Sequence, residues 1–430
     1  MKLVLTIILF SISSPFLFAQ TARDTIYSSF VLDQRRNSFK DHLLNTVLFK
    51  NMEQVLDSTT EEQFRESCWA IAQFIVQSTS IEKGFAQLFD KYQTLDYSTK
   101  RSFLEAVYAS YSKEYEKEIG TLLITETVPK LFAMQAVYLY RMHPNKTTTE
   151  FIQTYLANRF PHYEKIALLA ELVKYLQHYQ TELHQKTPSL TKLFEHQKKV
   201  GSKMIYSFQR WNRDYPGIAI IQNADGSFVR EKSGRILMIE QLARAGSNLP
   251  YFLTNGNTPQ GIFSITGTEV SRNLFIGPTP NFQMLMPYEA DSAFWHTTYD
   301  NKKDSLSNYK NLLPESWSNY APITESYYAG KIGRSEILSH GTTIDPEYFK
   351  GKPYYPLTPT LGCLCAKEIW NKTTGRLDQS EQFKLLNGFL STSGTTGYLI
   401  VINLDNQQKA VSKKEIQLIL ERKKAPVRVP

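Results

Sequence analysis

From about residue 30 to 200 the apolar side chains recur at the three- and four-residue spacing of helices that bury one face, and glycine is scarce. Leu43, Val47 and Leu48 mark one such face, and Trp69, Phe74 and Val76 a second. Phe103, Leu104, Val107 and Tyr111 form a third, Leu131, Val137, Tyr138 and Tyr140 a fourth, and Ile166, Leu169, Leu172, Val173 and Leu176 a fifth. Breakers separate them: Ser58-Thr59-Thr60, Asp96 to Thr99, Pro144-Asn145 and Pro161. Ser98 and Thr99 read as N-caps. Segments starting near Glu62, Thr99, Val128 and Pro161 recur at roughly 30 to 37 residues, the period of helix-pair arrays. A HEAT-like or tetratricopeptide-like array and an irregular helical bundle both fit this pattern. No titratable cluster here suggests chemistry, and aromatic residues at helical spacing read as core.

After about Val200 glycine, proline and β-branched residues become frequent and the period shifts toward two. Gly217 to Ile221, the turn Asn223 to Gly226 and then Ser227 to Arg230 predict strand, turn, strand. Tyr251 to Thr254 and Gly397 to Ile402 predict further strands, and Gln379 to Leu390 a helix. The expected fold class is therefore an α+β multidomain protein. An all-α region over 30–200 precedes a mostly β domain over 205–405, and an amphipathic helix with a basic tail closes the chain over 406–430.

The first 19 residues read as a secretory signal: Met1-Lys2, the apolar run Leu3 to Phe10, and a small residue, Ala19, at the end. Pro15 breaks the run well short of the roughly 20 apolar residues of a spanning helix. The mature chain is thus expected to be exported, periplasmic or envelope-associated, with no membrane span. Removing Lys2 takes the formal charge of the 430-residue chain from +8 to +7. That mild excess suits an anionic envelope polymer or an ordinary solvated surface. No nucleic-acid motif occurs, and no cofactor or metal is implied.

The cysteines are Cys68, Cys363 and Cys365. An odd, sparse count in an exported chain argues against a disulfide framework and flags a reactive thiol. Cys68 falls in a helical pattern and reads as a small buried hydrophobe. Cys363 follows Gly362 in a loop, where the backbone can approach a substrate and offer N–H groups to an oxyanion. A cysteine nucleophile needs a base, and His340, ahead of Gly341, is the candidate. Cys365 has three open readings: a packed residue, a partner bridged to Cys363, or a second thiol in the site.

Three segments carry a resemblance. Thr258-Pro259-Gln260-Gly261-Ile262-Phe263-Ser264-Ile265 resembles the T-P-x-G-x-F-x-I segment of L,D-transpeptidase catalytic domains of the YkuD type. His340-Gly341-Thr342 resembles their H-G-T element, and Gly362-Cys363-Leu364 the G-C core of their S-H-G-C signature. The three occur in the family's order within 205–405. The resemblance implies that Cys363 attacks a peptidoglycan stem-peptide carbonyl and that His340 activates the thiol. Backbone around Gly362 and Leu364 would hold the oxyanion, and Thr258, Pro259, Gly261, Gly341 and Thr342 would shape the turns. A second stem amine would then resolve the thioester into a 3→3 cross-link, without metal or organic cofactor. Two positions depart from the pattern: Leu361 replaces a histidine, and Cys365 an arginine or asparagine.

Tyr354 and Tyr355 are expected to wall a substrate groove. Arg334 and Lys352 read as solvated surface or as partners of a stem-peptide carboxylate, and His296 as a structural histidine beside aromatics. Water in place of the acceptor amine would make the chain an L,D-carboxypeptidase. A non-catalytic envelope-binding protein of the same fold, or a scaffold whose helical half binds a protein partner, are the alternatives from another class.

Overall fold

Why the first half is helical follows from the burial of its apolar stripes. In the computed structural model, which describes residues 23–296 and 299–421, helices alternate between two rows. Glu61–Phe74, Tyr97–Ser110, Pro129–Met142 and Ala167–Glu182 pack against one another as an inner row. Thr79–Asp90, Glu116–Thr125 and Lys146–Arg159 lie outside them and bury narrower stripes. Ser78 and Asn145 cap two outer helices, their side chains accepting from the backbone N–H of Ile81 at 3.3 Å and Thr148 at 2.9 Å. Ser98 and Thr99 are not caps. The helix begins at Tyr97, and Thr99 is turned into the core. Residues 1–22, which include the expected signal segment, and the basic tail beyond 421 lie outside the described residues.

The second half is a closed eight-stranded barrel. Its strands are β1 (Met204–Arg210), β2 (Gly217–Gln222), β3 (Ile239–Leu242), β4 (Gly261–Glu269), β5 (Asn281–Leu285), β6 (Ser339–His340), β7 (Leu364–Ala366) and β10 (Gly397–Asp405). A separate hairpin pairs β8 (Glu368–Trp370) with β9 (Leu377–Ser380). The barrel order is β1-β10-β4-β5-β6-β7-β3-β2, with β1–β10 and β6–β7 parallel. Ile205, Ile221, Phe263, Leu364 and Leu399, from strands all round the barrel, meet in one cluster with Leu385 and Phe389 of the helix Glu381–Phe389. Alternate residues such as Tyr206, Ile220, Ile262 and Ile400 face helices outside. With both faces covered, β10 is a nearly continuous apolar run rather than an alternating one.

The helix Leu190–Val200 belongs to that outer layer. Phe194 meets Tyr206 with ring centroids 4.8 Å apart, and Gln222 donates to its carbonyl. Two predicted strands are absent among the described residues. Tyr251 to Thr254 forms turns, because its carbonyls serve loop and side-chain donors rather than a ladder. Ser227 to Arg230 returns after the Asp225-Gly226 turn but pairs only through isolated bridges.

The helical rows grip the loops that lead to the barrel's β6–β7 edge. Glu105 accepts from Asn255 at 3.0 Å, Lys130 donates to Thr254 at 3.0 Å, and the Tyr251 hydroxyl donates to Glu171. Gly246 passes so close to the helix Glu61–Phe74 that a Cβ there would lie 2.8 Å from the Ala72 carbonyl oxygen. Near the other end, Arg36 donates to the Thr343 carbonyl at 2.8 Å and pairs with Asp345 at 3.5 Å. No described helix is long and apolar enough to cross a membrane.

Candidate active site at the β6–β7 edge

Side chains alternate across a strand, so the parallel β6–β7 register sets which groups share a face. His340 stands opposite Cys365 and Ser339 opposite Leu364. Leu364 points into the barrel core, and Ser339 accepts from Gln241 at 3.0 Å. His340 and Cys365 therefore lie on the opposite face, and Cys363 sits in the bend just before β7. Cys363 is two residues before Cys365, the strand partner of His340. Among the described residues no hydrogen bond joins the two side chains.

Each is held separately. The Cys363 thiol accepts from the Leu338 N–H at 3.3 Å and lies 3.6 Å from the Glu336 carbonyl oxygen. Burial pushes the Cys363 thiol up to about 11, against the pull of the Leu338 N–H and the Arg334 guanidinium. His340 is buried, and its Nδ1 meets the Gly341 carbonyl. A carbonyl only accepts, so Nδ1 carries the proton and Nε2 keeps its lone pair. Burial lowers the His340 imidazole to about 4, so it is neutral, and a base, across the neutral range.

The loop that carries Cys363 is fixed from behind. Thr258 donates to the Gly362 carbonyl at 2.8 Å, and Thr360 to the Cys363 carbonyl at 2.9 Å. The Gly362 N–H donates to Thr360 at 3.0 Å, and the Leu364 N–H to the Leu338 carbonyl at 2.8 Å. Those two N–H groups, expected to hold an oxyanion, are thus spent on the loop and the ladder. The Cys363 N–H has no acceptor among the described residues.

Arg334 is the residue that sequence reasoning misplaced. It is buried, not surface. Its guanidinium donates to the carbonyls of Tyr251, Asn257 at 3.0 Å and Gly256 at 2.9 Å. Among the described residues it makes no ion pair with a carboxylate, and the acidic groups of Cys363 and Glu289 are the ones whose ionised forms would favour its charge. Gly362, at φ +120°, leaves room for it: a Cβ there would be 2.7 Å from the Gly256 oxygen and in collision with the guanidinium. No motif points to Arg334, because its approach depends on loops far apart in sequence.

The other motif residues are structural. Gly261, at φ +122°, lets Tyr309, Ser326 and the Ile323 carbonyl pack against its Cα. Gln260 bonds the buried Glu325 through its N–H at 2.7 Å, while Pro259 is buried beside it. Gly341 abuts the Glu368 carboxylate so closely that a Cβ would collide with it. Glu368 in turn accepts from the Thr342 N–H at 3.0 Å and the Ser380 hydroxyl at 2.7 Å. His296 meets Ser264 at 3.0 Å and the Gly397 carbonyl at 3.2 Å, a structural role.

Tyr354 does not wall a groove: it is 1% exposed, with Arg244 over its ring. Tyr355 is exposed and donates to Glu347 at 2.7 Å. Cys365 is a free, buried thiol near the Thr358 hydroxyl, and Cys68 is likewise free and buried. No group of three or more His, Cys, Asp or Glu side chains placed to hold a metal occurs among the described residues.

Glu368 allows a prediction. Burial pushes its carboxyl up to about 7 from an ordinary 4.5, so between those values the folded state binds its proton more tightly than the unfolded chain. Stability from this group therefore falls as pH rises through that window, by about 3 kcal/mol in full. Glu368→Gln, which stays neutral, is expected to gain stability relative to wild type between about pH 5 and about pH 8. Denaturant melts at both pH values check this, and a constant difference would refute it.

Comparison of the chain with protein-family models, with curated proteins and with solved structures finds no match.

Proposed function

We propose that the chain is a cysteine acyltransferase of the L,D-transpeptidase type, acting on peptidoglycan stem peptides in the cell envelope. One observation carries the reading: the parallel β6–β7 pairing sets His340, with its neutral imidazole, against Cys365, two residues from Cys363, whose thiolate the Arg334 cation favours. The three segments that resemble the family supply the substrate class.

With the thiol and imidazole both neutral, the step is general-base catalysis rather than attack by a preformed thiolate. The Cys363 proton passes to His340 Nε2, directly or through one water, as Sγ bonds to the stem-peptide carbonyl carbon. Negative charge builds on the carbonyl oxygen, where the Cys363 N–H can donate. The C–N bond breaks, and His340 returns the proton to the departing amine. A second amine then attacks the thioester, losing a proton as the thiol is released. With water in its place the product is a free acid, the carboxypeptidase outcome. Arg334 lowers the cost of charge on sulfur in both half-reactions.

Incubation with a tetrapeptide stem or a carbapenem, followed by intact mass, tests this. A covalent adduct at Cys363 is expected, absent in Cys363→Ser, reduced at least 100-fold in rate in His340→Ala, and retained in Cys365→Ser. A folded protein without adduct would leave the non-catalytic envelope-binding reading.

A further inference from the structure

The seam between the helical rows and the barrel holds a partly open cavity of about 320 Å³. That is at the lower end of the range for small-molecule sites, and is room for roughly ten water volumes. Tyr140, Tyr175 and Tyr179 wall one side, with Tyr175 and Tyr179 centroids 4.6 Å apart, and Trp211 closes the row 6.2 Å from Tyr179. The cavity reaches Thr258, which holds the loop that carries Cys363.

The polar groups of this wall are unbalanced in one direction. Arg141 donates through Nη1 to the Tyr108 carbonyl at 2.8 Å, while its Nε and Nη2 are buried without an acceptor among the described residues. Trp211 Nε1 is likewise buried without one. Arg141 forms no ion pair with a described carboxylate; its guanidinium carbon sits 3.7 Å from the centre of the Tyr108 ring. A second buried cation, Arg213, lines the same space, its bonds taken by the Arg210 and Thr258 carbonyls and by Asn403. The one acid in the wall, Glu325, already accepts from the Gln260 N–H and side chain at 2.7 and 3.2 Å. Buried donors without acceptors are costly and rare, and here three belong to two residues that line one cavity, each donor atom itself closed to water.

We infer that this cavity is a binding site for a small organic carboxylate. The Arg141 and Trp211 side chains turn toward the space to give their unpaired donors to the carboxylate, and the ligand's ring or apolar skeleton lies on Tyr175 and Tyr179. The Nε–Nη2 edge of a guanidinium presents two parallel N–H bonds that match the two carboxylate oxygens. Tyrosine and tryptophan faces suit the C–H faces of a sugar or the side chain of an amino acid. The inference does not depend on Cys363 being a nucleophile.

Calorimetric titration of the whole protein tests it with three probes. N-acetylmuramic acid represents a sugar acid and N-acetyl-D-alanine an acyl amino acid, while N-acetylglucosamine is the neutral counterpart of the first. At least one of the two acids is expected to bind, and which of them does identifies the source. The neutral sugar should bind at least tenfold more weakly. Arg141→Gln should weaken the acid at least tenfold and Trp211→Phe several-fold, whereas Cys363→Ser should not change it. Thermal melts of both cavity variants separate lost binding from lost folding. No binding at millimolar concentration, equal binding of the neutral sugar, or affinity unmoved in well-folded Arg141→Gln and Trp211→Phe would each overturn the inference.

Discussion

Arg334→Gln is expected to slow alkylation of Cys363 by iodoacetamide about tenfold or more near pH 8, tenfold for each unit its thiol pKa rises. The guanidinium favours the thiolate, and it is buried where little water screens it. Its loss also removes the donors to the Tyr251, Gly256 and Asn257 carbonyls, so stability should drop by roughly 3–5 kcal/mol. Arg334→Lys separates the two effects. It restores the charge but not the fork, and should recover more of the alkylation rate than of the stability. The rate is read at Cys363 by peptide mapping across a pH series. Superimposable wild-type and Arg334→Gln profiles would show that the cation does not act on the sulfur.

Gly362→Ala is the second large effect, with an expected loss of roughly 3–5 kcal/mol or failure to accumulate folded protein. Two costs combine. At φ +120° an L side chain is strained, and the added methyl meets the Gly256 oxygen at 2.7 Å and the Arg334 guanidinium. Gly333 isolates the first cost: it has φ +96°, yet nothing lies within 4 Å of an added Cβ. Gly333→Ala should therefore lose only about 1–2 kcal/mol. Chemical melts of both variants check the contrast. Equal losses would mean that backbone strain alone explains Gly362 and that the close approach of Arg334 is not what the glycine serves.

How Arg334 and Gly362 depend on each other shows where a linear reading stops. The glycine is visible in the sequence as the residue before Cys363, and its backbone freedom can be argued from that alone. The reason it is needed is a guanidinium 28 residues upstream in chain order, held by carbonyls of the Tyr251 to Asn257 turn. That turn has the composition of a strand, Tyr-Phe-Leu-Thr, which its sequence alone predicts. Its carbonyls are instead spent on loop N–H groups and Arg334, while the helical rows clamp its side chains.

The chain alone determined the coarse architecture, because burial patterns are local: a 3.6-residue stripe demands a helix, and a run covered on both faces suits a core strand. Helices in the first half, the strand from Gly397, the helix near Gln379 and the pairing of Cys363 with His340 as candidates all come from such short windows. What only the tertiary structure decided are relations between windows. It set the parallel β6–β7 register that pairs His340 with Cys365 and so brings the Cys363 bend to the strand that carries the imidazole. It engaged the Gly362 and Leu364 N–H groups, buried Tyr354, and packed the Arg334 guanidinium against Gly362. It also left, between two halves that look independent in sequence, a partly open cavity lined by residues with unpaired donors. Periodicity constrains each element's own faces; which faces meet, and which charges are left without partners, is settled only when the whole chain is packed.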